Sequence, residues 1–260
     1  MENLPTKVEY EVREVEKATA LSMVCDYHYS NSLPRLNKYF VGFFYHGDLV
    51  GVVTLGYGTR PKHTIQKLFP NMETSDYLEI GRMCMTDDMP RNSESQMLSK
   101  LIKWVKANLP NVKVLFTWAD GMLGKCGYVY QASNFIYVGY SPTDMYLKDG
   151  VKIHPRQTKK LFGKGDNDTR LTCRPTKEQM EQLGIEHWRG NQYRYIFFTC
   201  DKREKKRLMK ECIVPLNVPP PKDKDLRWTK QNLLNGKWES ASFPAYRTDS
   251  KQDINEVMSL

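Results

Sequence analysis

Between residues 77 and 118 the chain runs through a strand, a helix and a second strand, and no other part of its 260 residues limits the fold as much. Tyr77–Met85 is apolar enough for a buried strand, and Thr86–Asn92 is a loop. Ser93 opens a helix, with Gln96 three residues on as a capping box. That helix presents Met97, Leu101, Trp104 and Val105 on one face, and Pro110 ends it. Val112–Trp118 is again an apolar strand. A one-sided helix between two apolar strands buries its stripe against a sheet, which makes the class α/β.

The flanking segments extend the pattern. Val8–Val15 reads as a first strand and Lys17–Tyr27 as a helix. Tyr39–Tyr45 and Leu49–Tyr57 are β-rich runs joined by His46-Gly47-Asp48, a hairpin signal. Tyr57–Asp76 is irregular and holds Arg60, Lys62, His63 and Lys67. Cys126–Ser133 is a short helix; Phe135–Gly139 and Thr143–Leu147 are short strands, the second ending in a Lys148-Asp149-Gly150 turn. The resulting order resembles that of N-acetyltransferases (GNAT-like): a mixed sheet flanked by helices. The strand-to-helix turn after the fourth strand is the natural anion site of such a layout. Beyond residue 150 the expected elements are a basic loop at His154–Asp168, a helix at Thr176–Leu183, a strand at Tyr193–Thr199 and a basic helix at Lys202–Cys212. Val214–Asp225 is a proline-stiffened linker, and Leu226–Leu260 is a tail with Trp228, Trp238 and Phe243 but no clear period. The expected division is a catalytic core over 1–150, a basic DNA-contacting region packed on it over 151–212, and a linker with tail over 213–260.

The net charge of +9 is not spread evenly. Residues 151–210 hold 16 basic and 7 acidic side chains, and 16 − 7 accounts for the whole excess; 1–150 (16 and 16) and 211–260 (7 and 7) balance. Concentrated cations suit a polyphosphate partner, whose counterions they displace; a solvated helix face is the alternative. The six cysteines have no metal-ligand spacing and read as reduced, packed thiols. No apolar run approaches the ~20 residues of a membrane helix, and the first residues lack a signal core, so the expectation is a soluble, non-exported protein without a membrane partner.

Five groups of residues can carry chemistry. Tyr27-His28-Tyr29-Ser30 ends the first helix, and its histidine is either a general base or metal ligand or a surface residue. Ala119-Asp120-Gly121 puts a carboxylate where α/β folds place active sites, or simply forms a turn. Trp118–Gly139 concentrates glycines, amides and the stacking rings of Tyr128, Tyr130 and Tyr137. Glu79-Ile80-Gly81-Arg82 interrupts an apolar strand with charge, and those charges pair or face a site. His154-Pro155-Arg156, followed by Gln157, Lys159 and Lys160, is a phosphate-contact loop or a solvated turn.

Taken in order, His28-Tyr29-Ser30, Glu79 with Arg82, Ala119-Asp120, Gly127-Tyr128-Val129-Tyr130-Gln131-Ala132, Phe135 to Gly139, His154-Pro155-Arg156 and Tyr193-Arg194-Tyr195 resemble the Mom family of bacteriophage DNA-adenine modification proteins, from about Val8 to Lys210. The Val129–Ala132 block and the downstream HPR carry the resemblance together. It implies a GNAT-like transferase that adds a small carbonyl-containing group, methylcarbamoyl or acetamido in type, to N6 of adenine in double-stranded DNA and so shields phage DNA from restriction in the bacterial cytoplasm. It further implies iron, with His28, Tyr29 and Asp120 as catalytic and metal-proximal residues. Arg82, Tyr128, Tyr130 and Gln131 line the substrate site. DNA is contacted by His154, Arg156, Lys159, Lys160, Arg194, Lys202, Arg203, Lys205, Lys206 and Arg207. The reading leaves room for a homodimer.

The chain departs from the family in three places. Tyr27 stands where tryptophan is common, and Gly124-Lys125-Cys126-Gly127 lacks the family's frequent histidine. The acetyltransferase pyrophosphate signature is replaced by Met89–Ser95, which leaves Arg91 and the helix start to hold acetyl-CoA or another acyl donor. The expected mechanism extrudes adenine into a cleft of the first half while the basic second half holds the backbone. Its rivals are a DNA-binding protein without chemistry and an N-acetyltransferase acting on a peptide or small amine.

Overall fold

A computed structural model describes residues 7–30, 33–58, 64–153, 162–163 and 173–244. His46 and Gly47 adopt φ of 52° and 92°, the left-handed pair that turns a tight hairpin. They join β2 (Asn37–Tyr45) to β3 (Asp48–Gly56), and β3 is buried from Val50 to Gly56. β1 (Glu11–Glu14) pairs antiparallel with β2, and β4 (Tyr77–Met85) antiparallel with β3. β5 (Val114–Asp120) runs parallel to β4, so the sheet is mixed, and α1 (Lys17–Tyr27) and α2 (Ser93–Asn108) flank it as the sequence predicts. The β4–β5 register covers only Tyr77↔Val114, Leu78↔Leu115 and Glu79↔Phe116. Beyond Glu79 the two strands part.

The chain divides into two compact units. The first comprises residues 1–119, 127–139 and 194–220, and the second 120–126, 140–193 and 221–260. In the first unit the sheet order is β1-β2-β3-β4-β5, continued by the C-terminal part of β8 (Glu186–Phe198) and the N-terminal part of β6 (Ile136–Lys148). Phe69, Tyr77, Val114, Phe116, Val138, Ile196 and Phe198 form its main core, onto which Leu208 of α5 (Lys202–Glu211) folds. The short α3 (Tyr128–Ala132) starts at Gly127, whose φ is 90° and whose missing Cβ would lie 2.6 Å from the Tyr195 ring. Gly127→Ala therefore combines a left-handed alanine with a clash and is expected to cost about 2 kcal/mol or more, read as a lower midpoint in denaturant unfolding.

In the second unit β7 (Val151–Ile153) pairs with the end of β6 across Asp149 and Gly150, at φ 50° and 77°. β9 (Trp228–Gln231) pairs with β8, and β10 (Trp238–Ala241) pairs with β9. α4 (Lys177–Leu183) packs Met180 among Tyr146, Ile153 and Ile185.

Four expectations change. The capping box at Ser93 does not form: the N-cap is Asn92 at φ 69°, and the Gln96 side-chain oxygen instead accepts the Val8 amide at 2.8 Å. A distant backbone donor has taken the oxygen that the box requires. Val8 and Tyr10 consequently pack against the start of α2, and β1 begins only at Glu11. The two short strands at 135–147 are one strand of 13 residues; Gly139 and Pro142 interrupt its alternation without ending its extended path. The tail in which the sequence shows no clear period forms β9 and β10. Among the described residues no helix is long and apolar enough to cross a membrane.

Candidate functional site

Where β4 parts from β5, in the first unit, a bonded chain of polar groups links the HYS segment to β4. A bulge at Gly81 shifts the β3–β4 register between Thr54↔Arg82 and Leu55↔Ile80. Arg82 beyond it donates from Nη1 to the Gly81 carbonyl at 2.7 Å and from Nη2 to Ser30 Oγ at 3.0 Å. The Ser30 amide donates to His28 Nδ1 at 2.9 Å, and the Ser30 carbonyl lies 3.1 Å from the same nitrogen. Ser30 thus supports either imidazole tautomer. With the proton on Nδ1, Nε2 is a base; with it on Nε2, the ring is a donor. Tyr29 is half exposed and stacks on the imidazole at 4.1 Å. The structure therefore brings together three of the expected residues, His28, Tyr29 and Arg82. It also adds Ser30, which the HYS motif contains but which the sequence reading left without a role.

The Gly127–Gly139 block folds differently from the open stacking platform its composition suggests. Tyr130 is buried with its ring 5.6 Å from that of Tyr195, Tyr137 lies 5.6 Å from the same ring, and Phe135 packs on Tyr130. Burial pushes the Tyr130 phenol up, partly opposed by its hydrogen bond with Thr117. Gln131 Nε2 donates to Tyr195 Oη at 3.1 Å. Tyr128 alone of the three expected stacking rings is exposed. Tyr195, the hub of this cluster, was legible as part of a strand and of the Tyr193-Arg194-Tyr195 motif, but not as the partner of Tyr130 and Tyr137.

In the second unit Asp120, the last residue of β5, caps the turn Gly121–Leu123, its Oδ1 accepting the Met122 amide at 3.0 Å. Lys152 Nζ is 3.8 Å from Oδ2. Burial pushes the carboxyl up from its ordinary value, and Lys152, the Met122 amide and Lys125 offset part of that rise. Asp120 thus forms the turn from a position at the strand's C-terminal end.

The expected DNA contacts fall into three groups. His154, Arg156, Lys159 and Lys160 lie outside the described residues. On α5, Lys202, Arg203, Lys205 and Lys206 are exposed, whereas Arg207 is held by Glu204 at 2.6 Å and Glu211 at 2.5 Å. Arg194 is half buried, and its Nε has no hydrogen-bond partner among the described residues; burial pushes its pKa down.

No three His, Cys, Asp or Glu side chains gather around a point among the described residues. The iron set expected at His28, Tyr29 and Asp120 gains no support: the Tyr29 ring is packed against the imidazole, with centroids 4.1 Å apart and planes tilted by 30°. An acyl donor fits better. The N-cap of α2, Asn92, makes no side-chain hydrogen bond to the first turn, although the Ser93 amide is bonded to the Pro90 carbonyl at 3.1 Å, and Arg91 is exposed just ahead of it.

The strand order and the parted parallel pair define an α/β protein with a mixed sheet of N-acetyltransferase type. Residues 9–216 match the model of the Mom protein family, and the chain belongs to that family. It is 34% identical over 200 residues to the methylcarbamoylase mom of Escherichia phage Mu, covering 77% of this chain and 79% of that protein. Among solved structures it is similar to an N-acetyltransferase from Staphylococcus aureus Mu50, with 12% identity, TM-score 0.39 and coverage of 74% and 99% of the two chains. It is also similar to the IAA acetyltransferase from Bacillus cereus ATCC 14579, with 12% identity, TM-score 0.40 and coverage of 73% and 99%. At those scores the architecture rests on this chain's own strand pairing.

Proposed function

We propose that this protein is a transferase that places a methylcarbamoyl-type group on N6 of adenine in double-stranded DNA, and that the modification shields phage DNA from restriction. The observation that carries the reading is the 34% identity to a methylcarbamoylase over 200 residues, together with the family match over residues 9–216, which takes in His28, Arg82 and Asp120. The localised positive charge fits a DNA substrate.

Adenine N6 is paired inside the duplex, so the base is extruded at a cost of a few kcal/mol. The N6 lone pair forms a bond to the electrophilic carbon, the donor's leaving group departs with its electron pair, and a base takes the N6 proton. Two described groups have the chemistry of that base. His28 has its Nδ1 engaged by Ser30 in either tautomer, and Asp120 has a carboxyl raised above its ordinary value by burial. Arg82 is a positioning residue that fixes Ser30. A donor of the coenzyme A kind would lay its pyrophosphate on the first turn of α2 near Arg91.

Plasmid DNA from cells expressing the protein is expected to resist restriction enzymes whose sites contain adenine, and to stay sensitive to those whose sites do not. DNA from cells expressing His28→Ala is expected to be cut normally. Full cleavage of both preparations, with soluble protein in each, contradicts the reading.

A further inference from the structure

Asp144 on β6, in the second unit, organises a cluster that the proposed chemistry does not use. Its carboxylate is 11% exposed and meets three side chains: Arg174 Nη2 at 2.7 Å from Oδ2, and Arg189 Nε at 3.1 Å and His187 Nε2 at 3.2 Å from Oδ1. His187 is held on every side: Nδ1 lies 2.8 Å from Gln231 Oε1, Tyr146 stacks on the ring at 4.5 Å, and Trp238 meets it edge-on at 4.8 Å. The Arg189 guanidinium carbon sits 4.0 Å from the centre of the Trp238 ring. Burial alone would raise the Asp144 carboxyl, yet His187, Arg174 and Arg189 outweigh it and hold the group at about 2.

One carboxylate cannot neutralise two guanidiniums, so the cluster keeps a positive charge. Each arginine spends one nitrogen on Asp144. The side chains nonetheless remain 59% exposed at Arg174 and 38% exposed at Arg189, so both stay accessible from solvent. Exposed ion pairs add little stability, and immobilising long side chains costs entropy. Guanidiniums already fixed in direction are what two-point recognition of a phosphate requires. Both arginines belong to the stretch that holds the whole excess charge.

We infer that Arg174 and Arg189, aimed by the buried Asp144, clasp a phosphodiester of the DNA duplex. The inference rests on the DNA-modifying function proposed above. It differs from attraction by net charge, because the acidic residue is what makes the site.

The test is anisotropy titration of a labelled duplex over a range of salt, with the full chain and the variants Arg174→Lys, Arg189→Lys and Asp144→Asn. Each lysine variant keeps its charge and is expected to lose roughly tenfold in affinity, the worth of a charge-assisted hydrogen bond, with the salt slope unchanged. Asp144→Asn adds one positive charge and is nonetheless expected to bind more weakly. Tighter binding by Asp144→Asn, or lysine variants equal to wild type, overturns the inference and leaves the DNA-modifying reading in place. If Asp144→Asn does not fold, Arg174→Lys, the most exposed of the three, decides. Variants that lose coenzyme A but keep the duplex also overturn it. A wild-type protein that does not bind the duplex overturns both readings.

Discussion

Asp120→Asn is expected to give a folded protein, at least as stable as the original at neutral pH, that leaves DNA unmodified. The sign follows from burial, which raises the Asp120 carboxyl more than Lys152, the Met122 amide and Lys125 lower it. A carboxyl raised in the folded state binds protons more tightly there than in the unfolded chain. The folded state is then penalised as pH climbs from the ordinary value of 3.8 through the raised one. Asparagine removes that penalty, and its side-chain oxygen still accepts the Met122 amide. The melting-temperature advantage of the variant should therefore grow over this pH interval and stay level above it. Activity should move the other way. If the ionised carboxylate is the base, modification by the wild type falls as pH drops through the raised value, and the variant loses about 10²–10⁴-fold at pH above that value, a deficit that narrows below it. An active Asp120→Asn protein moves the role of base to His28.

Replacing Lys202, Lys206 and Lys210 together by glutamine is expected to weaken duplex binding a few hundredfold at about 0.1 M salt and to flatten the log–log salt slope by roughly 3. The three lysines recur every fourth residue on exposed positions of α5, while both acids of that helix, Glu204 and Glu211, are occupied by Arg207. Like charges at this spacing repel and weaken an isolated helix slightly. The glutamine variant should therefore melt no lower than wild type, and an unchanged salt slope would remove α5 from the DNA-contacting surface. This result separates α5 from the Asp144 cluster, whose lysine variants change affinity without changing slope.

The parts of this molecule that were legible in the sequence are those whose cause is local. α1 spans Lys17–Tyr27 and β4 spans Tyr77–Met85, as expected, because the apolar period and the flanking residues suffice to set them. The same Ser/Thr-x-x-Gln signal occurs twice. At Thr176 and Gln179 it forms a capping box, and at Ser93 and Gln96 it does not, because Val8, 88 residues away from Gln96, takes the glutamine oxygen. β8 was read from its apolar end, Tyr193 onward. Its first half alternates buried Trp188 and Gly190 with Arg189 and Asn191, too polar a run to announce a strand. The β9–β10 hairpin was hidden because its stability comes from pairing with β8 rather than from any period of its own. At the site, His28, Arg82 and Asp120 could be named from motifs, but their partners could not. Ser30 joins Arg82 across 52 residues, and Asp144 meets His187 across 43. No motif encodes such pairs, because they exist only once the strands lie side by side.

The central claim, that adenine in DNA is the substrate, is tested most directly by mass spectrometry of nucleosides digested from the DNA of expressing cells. The account predicts a deoxyadenosine derivative carrying a methylcarbamoyl-type addition on N6, present with the wild-type chain and absent with His28→Ala. Soluble wild-type protein alongside wholly unmodified deoxyadenosine, or a modification carried by another base, would contradict it.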